Sequence, residues 1–333
     1  MKEFIEKVKS KKDLSRTEAY SAMLRILEEA SDNDISDFLI AMNKKEPTIE
    51  ELTGFVKGMK EKAVFIKPNV EMLIDTCGTG GDRKGTINVS TGAAILTASA
   101  GVPVAKHGNY SISSRSGSAN VLEALGYNIN MEPEDCEKMI EQTNFGFLFA
   151  PKFHPAMKRV VHIRKKIGEK TIFNLLGPLC NPANARAQLI GVYEEHLCEK
   201  FCYVLKEIGL EHALVVHGSG LDEISNIGET TIYELEDGTI KSYQIAPEKF
   251  GFKRYELKDI LGGSPEENAI YIKDIFNGRH GAKRDIVVLN AGASIYLGDG
   301  ATSLEEAVEK AKKILDSGAA SIKLSEIINY SKR

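Results

Sequence analysis

No strong charge of one sign marks this chain. Among 333 residues, 43 Lys and Arg stand against 47 Asp and Glu, a formal net charge of −4 at pH 7. The whole-chain balance therefore excludes a strongly basic nucleic-acid footprint, although a local basic patch is still allowed. Cysteine is scarce: Cys77, Cys136, Cys180, Cys198 and Cys202 are odd in number and scattered. Cys198 and Cys202 fall on a helical spacing, with no His or Cys at zinc-ligand distance in sequence. Reduced thiols in a cytoplasmic protein are expected, rather than a disulfide framework or a zinc site. The first residues, MKEFIEKVKSKKDL, are charged throughout and lack an apolar core, so no secretory signal is expected. A clean membrane span is also missing. The charge-free stretch Thr86–Ala105 reaches the roughly 20 residues a span needs. However, it contains Asn88, Ser90, Thr91, Gly92, Thr97, Ser99, Gly101 and Pro103, and it reads as a buried helix followed by a buried strand.

With 42% hydrophobic and 27% charged residues, the composition fits a folded globular chain. The length allows two domains of roughly 100–200 residues. Residues 1–66 read as helical. Helices are expected after Asp13-Leu-Ser-Arg-Thr-Glu, from Asp34, and after Pro47, where Thr48 and Glu51 have capping-box spacing. From Lys67-Pro68 onward, short apolar runs alternate with helical stretches. Strands are expected at Met72–Asp75, Val102–Lys106, Phe147–Ala150, Ala187–Gly191, Ala213–His217 and Asp285–Leu289. Helices are expected at Asn88–Ala100, Ser118–Leu125, Glu134–Thr143, Leu197–Ile208 and Ser303–Ser317. A basic amphipathic helix is expected over His154–Ile167, and a short one over Thr171–Leu176. Around Asp237-Gly238 two alternating runs predict an antiparallel hairpin. The expected fold is α/β: a small N-terminal helical domain (1–66, joined by helices from about 154–180) and a larger domain (67–333) with a central, mostly parallel sheet.

Four clusters carry chemistry. In Asp75-Thr-Cys-Gly-Thr-Gly-Gly-Asp82 an apolar strand runs into three glycines, and a helix follows at Asn88-Val-Ser-Thr91. Glycines let several backbone N–H groups converge on one anion, and a helix start adds partial positive charge. The pattern suits a phosphate or pyrophosphate. It is not a dinucleotide fingerprint, since Arg83 stands where glycine is needed. It is not a Walker loop either, since Thr86 holds the lysine position. An ordinary tight strand–helix turn is the alternative. The second cluster runs from Lys106-His107-Gly-Asn109 through Ser111, Ser113, Ser114, Arg115 and Ser116 to Ser118, again between a strand and a helix. It reads as a second anion loop, or as a polar surface loop. In the third, Asp222 and Glu223 follow a glycine loop at a strand end. They suit Mg²⁺ held jointly with substrate phosphates, or a plain helix start. The fourth is the basic stretch from His154 to Arg164, able to hold an organic acid or simply to face solvent.

These segments, DTCGTGGD, NVST, KHGN, FLFAPKFHPAMK, RKKIGEKTIFNLLGPLCNPA, HGSGLDEIS and VLNAGA, resemble the anthranilate phosphoribosyltransferase family in order and over nearly the whole chain. The resemblance implies a class IV phosphoribosyltransferase fold, of the nucleoside phosphorylase type. The implied reaction is transfer of 5-phosphoribose from phosphoribosyl pyrophosphate (PRPP) to the amine of anthranilate, in tryptophan biosynthesis, by a cytoplasmic homodimer using two Mg²⁺ ions per subunit. Gly78, Thr79, Gly80, Gly81 and Asp82 match the family's pyrophosphate loop. Thr86, Asn88, Ser90, Thr91, Lys106 and Ser118 match its other PRPP contacts. Ser90, Asp222 and Glu223 match its metal positions. Gly78, His107, Asn109, His154, Arg164 and the Gly177-Pro178 turn match the anthranilate side. Lys106 is expected to act electrostatically, and no general base is assigned. Tyr110, Asn120 and Met157 depart from the usual arginine, aspartate and aromatic. The rival readings are a nucleoside phosphorylase of the same fold and a non-enzymatic paralogue that binds nucleic acid. Neither nucleic acid nor membrane is an expected partner, and the apolar helices of residues 1–60 are the expected dimer surface.

Overall fold

The computed structural model describes residues 1–111 and 115–333, so Ser113 and Ser114 of the serine cluster lie outside the described residues. Four helices come first: α1 (Lys2–Lys9), α2 (Arg16–Glu28), α3 (Asp32–Lys45) and α4 (Ile49–Glu61). Local chemistry sets their starts. Ser15 with Glu18 and Thr48 with Glu51 form reciprocal capping boxes, and the Ser31 hydroxyl accepts from the Asp34 N–H. Glu51, fully buried, also accepts from the Leu14 N–H at 2.8 Å and Lys45 Nζ at 2.7 Å. α2 and α4 pack closely because Gly54 has no side chain: a Cβ there would lie 2.3 Å from the Arg16 carbonyl oxygen.

The rest of the chain alternates. β1 (Ile74–Gly78), α5 (Val89–Ser99), β2 (Val104–Gly108), α6 (Ser118–Leu125), α7 (Pro133–Thr143) and β3 (Phe145–Phe149) lead to three short helices, α8 (Ala150–Phe153), α9 (Lys158–Ile167) and α10 (Ile172–Leu176). Then come β4 (Ala187–Gly191), α11 (Leu197–Glu207), β5 (His212–Gly218), β6 (Thr230–Glu236), β7 (Thr239–Ile245), α12 (Pro265–Phe276), α13 (Ala282–Leu297), α14 (Leu304–Asp316) and α15 (Ala319–Ser331). The strands form one seven-stranded sheet in the order β3-β2-β1-β4-β5-β6-β7. The first five strands pair in parallel; β6 and β7 add an antiparallel edge. The hairpin between them turns on Asp237 and Gly238, both with positive φ (48° and 75°), as a two-residue hairpin turn requires.

The sheet separates two cores by the alternation of its side chains. Leu189, Leu214, Val216 and Ile232 pack with α5 and α13. Ile190, Ala213, Val215 and Leu235 face the other way, toward α11 and the helical domain. Two expectations are corrected. Asp285–Leu289 is not a strand but part of α13. Ile286, Val287, Val288 and Leu289 are all buried, so this helix is buried around its circumference and its short apolar run has no helical period to read. The expected helix over His154–Ile167 is interrupted: Pro155–Met157 is a 3₁₀ turn, and α9 begins at Lys158. His154 therefore does not share a helix with Arg164.

The strand order places the site. The chain runs outward from β1 through β2 to β3, then returns to lay β4 on the other side of β1. In open α/β sheets, ligands settle beyond the carboxyl ends of the strands at such a reversal.

Candidate active site

At this reversal β1 and β4 end side by side, with Gly78 paired to Gly191. The Asp222 segment lies across both ends. A Cβ on Gly78 would sit 2.4 Å from Asp222 Oδ2, and one on Gly191 would sit 1.6 Å from the Asp222 carbonyl oxygen. Beyond Gly78, the Gly80 N–H donates to Asp222 Oδ2 at 2.7 Å. Gly80 and Gly81 have φ of +65° and +84°, left-handed values that free backbone donors to turn inward. Thr79 is tied to β4 instead: its N–H donates to the Gly191 carbonyl at 2.9 Å and its hydroxyl accepts from the Tyr193 N–H at 3.2 Å. Asp82 caps the Lys84 N–H. Thr86 forms a β-bridge with Leu261, anchoring the loop's far end. Asn88 bonds Ser116 and Asn268, holding the start of α5 against the second loop.

Lys106, on β2, is almost fully buried. Its ammonium donates to the Thr76 carbonyl at 2.7 Å and the Ser90 hydroxyl at 3.1 Å. Burial lowers its pKa, against the pull of Asp75, Cys77 and Glu223. Burial also pushes Asp222 up to about 7, helped by Asp82 and opposed by the Gly80 N–H. Glu223 is raised well above the usual carboxylate range by burial and by Asp222, while Lys106 and the Ser90 N–H oppose this. Neither Asp222 nor Glu223 has an ion-pair partner within reach among the described residues. Carboxylates crowded in this way favour a cation, and Asp222 and Glu223, the latter bonded to the Ser90 N–H, are hard oxygen donors of the kind Mg²⁺ takes. The Thr91 hydroxyl, buried at the same helix start, has no hydrogen-bond partner among the described residues.

The second loop is built around its helix. Ser118 Oγ reaches the Asn109 carbonyl at 3.3 Å, and a Cβ on Gly108 would meet it at 2.2 Å. Asn109 Oδ1 accepts from the Tyr110 N–H, and Asn120 Oδ1 accepts from the Gly117 and Ser111 N–H groups. Position 120 here needs an acceptor, not a charge, so Asn120 fills it. Tyr110 is exposed, bonds Glu123 and meets the Phe149 ring edge-on at 5.2 Å. Met157 packs on the helical-domain core.

On the other side, His107 and His154 face each other with ring centroids 5.0 Å apart. His154 Nε2 lies 3.1 Å from the Cys180 carbonyl. The His107 ring is held by the Gly177 backbone, while its Nε2 is buried without a partner among the described residues. Burial drives their pKa values down to about 3 for His107, with His154 adding to the effect, and to about 4 for His154. Both rings are neutral near pH 7. Arg164 is half-buried, with its guanidinium 5.5 Å from the Phe173 centroid and 3.3 Å from Asn174 Oδ1; no carboxylate pairs with it among the described residues. α10 thus carries Asn174 at Arg164 and runs into the Gly177-Pro178 turn at His107. The Pro178 carbonyl accepts from Gln188 Nε2 at 2.6 Å.

Sequence reasoning missed Gly191, which only the sheet register brings to Asp222, and Lys170. Lys170 Nζ donates to the Gly81 carbonyl at 3.1 Å. Nothing in a lysine-rich stretch singles it out. A cavity of about 780 Å³ opens beside the loop, lined by Asp82, Lys84, Tyr193, Glu194, His217 and Tyr233 among others. Of the sequence-predicted site residues it includes Asp82 alone.

Residues 70–321 match the family described as "Glycosyl transferase family, a/b domain", and residues 2–63 its helical bundle domain. The chain is 51% identical to an anthranilate phosphoribosyltransferase of Methanosarcina acetivorans over 332 residues, 99% of this chain and 90% of that protein. It is similar to the crystal structure of an anthranilate phosphoribosyltransferase from Thermus thermophilus, with a TM-score of 0.94 and 38% identity over 99% of both chains. It is also similar to the Saccharomyces cerevisiae enzyme in complex with PRPP and Mg, with a TM-score of 0.90 and 28% identity over 99% of this chain and 97% of that one.

Proposed function

The chain belongs to the anthranilate phosphoribosyltransferase family of glycosyl transferases, and from that premise we propose how its own residues divide the reaction between them. The enzyme transfers 5-phosphoribose from PRPP to the amine of anthranilate, giving N-(5-phosphoribosyl)anthranilate and pyrophosphate in tryptophan biosynthesis, with Mg²⁺ as cofactor. The observation that carries the residue assignment is the convergence of Asp222 and Glu223, which have no ion-pair partner among the described residues, with buried Lys106 and the Gly80–Gly81 turn at the ends of β1 and β4.

Cleavage of the C1–O bond builds positive charge on the ribose and negative charge on the departing pyrophosphate. The loop N–H groups and the start of α5 face that negative charge, and Lys106 supports it from beneath. Ser90, Asp222 and Glu223 would hold Mg²⁺. Bound there, the metal supplies Lewis-acid neutralisation of the diphosphate. The hydrogen bond from the Gly80 N–H to Asp222 Oδ2 holds the glycine turn over the strand ends, next to the acidic pair. On the other side, Arg164 pairs the anthranilate carboxylate, and Asn174 sets the guanidinium. His107 and His154, neutral and packed by the Gly177-Pro178 turn, offer polar contact without charge beside the aromatic ring. The aromatic amine is neutral near pH 7 and nucleophilic without help, so no general base is assigned.

Several finer points belong to the same proposal. Two Mg²⁺ ions per subunit fit the crowding of Asp82, Asp222 and Glu223, and a calorimetric stoichiometry of one would refute this. The domain boundary lies at residues 66/67, with the 154–180 segment joining the helical domain, since Val160, Ile163, Ile172 and Phe173 share its core. A homodimer using the helical domain is supported by exposed Ile40 and Val161, and light scattering at monomer mass would refute it. No helix among the described residues is long and apolar enough to cross a membrane; a cytoplasmic location is proposed and is testable by fractionation. No specific observation favours a phosphorylase or a nucleic-acid binder. Anthranilate is fluorescent, so the whole reading is tested by its consumption in the presence of PRPP and Mg²⁺. Loss of signal that needs both additions is expected, and an unchanged signal refutes the reading.

A further inference from the structure

We propose that Lys170, carried by the helical domain, is a further contact for the diphosphate of PRPP and for the pyrophosphate it leaves. This rests on the function proposed above and adds a residue that the phosphate-loop motif does not contain. Lys170 lies between α9 and α10, and its carbonyl accepts from Asn43 Nδ2 of α3 at 2.5 Å, which fixes its backbone to the helical bundle. Its side chain leaves that domain and lies on the phosphate loop. Nζ donates to the Gly81 carbonyl at 3.1 Å and sits 3.4 Å from the centroid of the Tyr193 ring. A Cβ on Gly81 would be 2.7 Å from Lys170 Cε, so glycine at 81 makes room for this lysine as well as for the left-handed turn.

The ammonium is under-partnered. It has three donors and uses one on Gly81. No carboxylate forms an ion pair with it among the described residues. Asp82, Asp222 and Glu194 attract it only at longer range, and Arg83 repels it. Half-buried against Tyr193, it has lost water without gaining a counterion, and its pKa falls accordingly. An anion seated on the Gly80–Asp82 turn would supply the missing counterion to a group already pointed at that turn. Lys106 reaches the same region from the sheet, committed to Thr76 and Ser90. Lys170 would close over it from the opposite domain.

The test uses the full chain and inorganic pyrophosphate, titrated by calorimetry with and without Mg²⁺, beside steady-state kinetics. Lys170→Gln keeps a donor for the Gly81 carbonyl and removes the charge; Lys170→Met removes both; Lys170→Arg keeps the charge. The expected result is pyrophosphate affinity about tenfold weaker in the Gln and Met variants, with a similar rise in the PRPP KM. The anthranilate KM should be unchanged, and Lys170→Arg should stay close to wild type. Normal pyrophosphate affinity in a folded Lys170→Gln variant would overturn the proposal and leave Lys170 as a clip on Gly81. Equal losses for both substrates that Arg does not rescue would do the same. Wild-type protein that ignores pyrophosphate would overturn the phosphate site itself, a failure distinguishable from that of Lys170.

Discussion

The two sides of the candidate site solve opposite electrostatic problems. The side over β1, β2 and β4 concentrates charge: Asp82, Asp222 and Glu223 crowd together, and a buried lysine stands beneath them. The side toward α9 and α10 removes it, burying two histidines until they are neutral and leaving one half-buried guanidinium. The first is suited to a polyanion with a divalent cation. The second is suited to a flat aromatic ring with a single carboxylate. The difference teaches where each selectivity resides. In the proposed reading, diphosphate recognition is built from backbone and strand ends, whereas recognition of the aromatic acid is built from the side chains of His107, His154 and Arg164.

The largest effect is expected from the charged side. Asp222→Asn combined with Glu223→Gln keeps an acceptor for the Gly80 N–H and removes the metal's anionic donors. Turnover at saturating substrates should fall by roughly 10²–10³, the scale of losing one strong electrostatic contribution. Circular dichroism should be unchanged. Near-normal turnover at limiting Mg²⁺ would sink the metal assignment. Gly81→Val comes next. It forces a β-branched residue to φ +84° and drives Cβ into Lys170. Relieving strain of about 1–3 kcal/mol by moving the turn off its present geometry should weaken PRPP binding by roughly tenfold to a hundredfold. Calorimetry with unchanged PRPP affinity in the folded variant would remove the loop from the site.

The two sides also differ in how far the sequence alone reveals them. The phosphate loop is local: strand, glycines, hydroxyls and helix start are consecutive, and each has one physical reason to be there. The hairpin at Asp237-Gly238 is local in the same way. The contact of Gly80 with Asp222 spans 142 residues and depends on which strands are neighbours, so only the pair's acidity is legible in advance. On the other side, the basic run from His154 to Arg164 suggests one helix with both residues on similar faces. Pro155 breaks it: His154 lies instead 3.1 Å from the Cys180 carbonyl, while Arg164 bonds Asn174. α13 reads as a strand because a wholly buried helix loses the amphipathic period that identifies a helix. Lys170 has no sequence signal at all; its contact with Gly81 spans 89 residues and is visible only in the fold.

The smallest effect concerns protons on the neutral side. The folded protein holds His107 and His154 at about 3 and about 4, below the ordinary 6.5. The unfolded chain therefore takes up protons that the folded one refuses as pH drops below about 6.5. The stability these neutral rings allow is fully present above that value and is lost progressively as pH falls toward 4 and 3. His107→Gln should flatten this acid limb by a few degrees of melting temperature, a shift on the order of 1 kcal/mol. An acid limb identical to wild type would show that the histidines are not what drives it.

The division of the candidate site is tested most directly by crossed kinetics. Each substrate is varied at saturating concentrations of the other, for wild type, Arg164→Ala and Gly81→Val. A charged hydrogen bond to a carboxylate is worth about 1.5–3 kcal/mol, so Arg164→Ala should raise the anthranilate KM by roughly tenfold to a hundredfold. It should leave the PRPP KM within about twofold, while Gly81→Val does the reverse. A rise in the PRPP KM in Arg164→Ala, with anthranilate unaffected, would contradict the account by placing this helix on the wrong substrate.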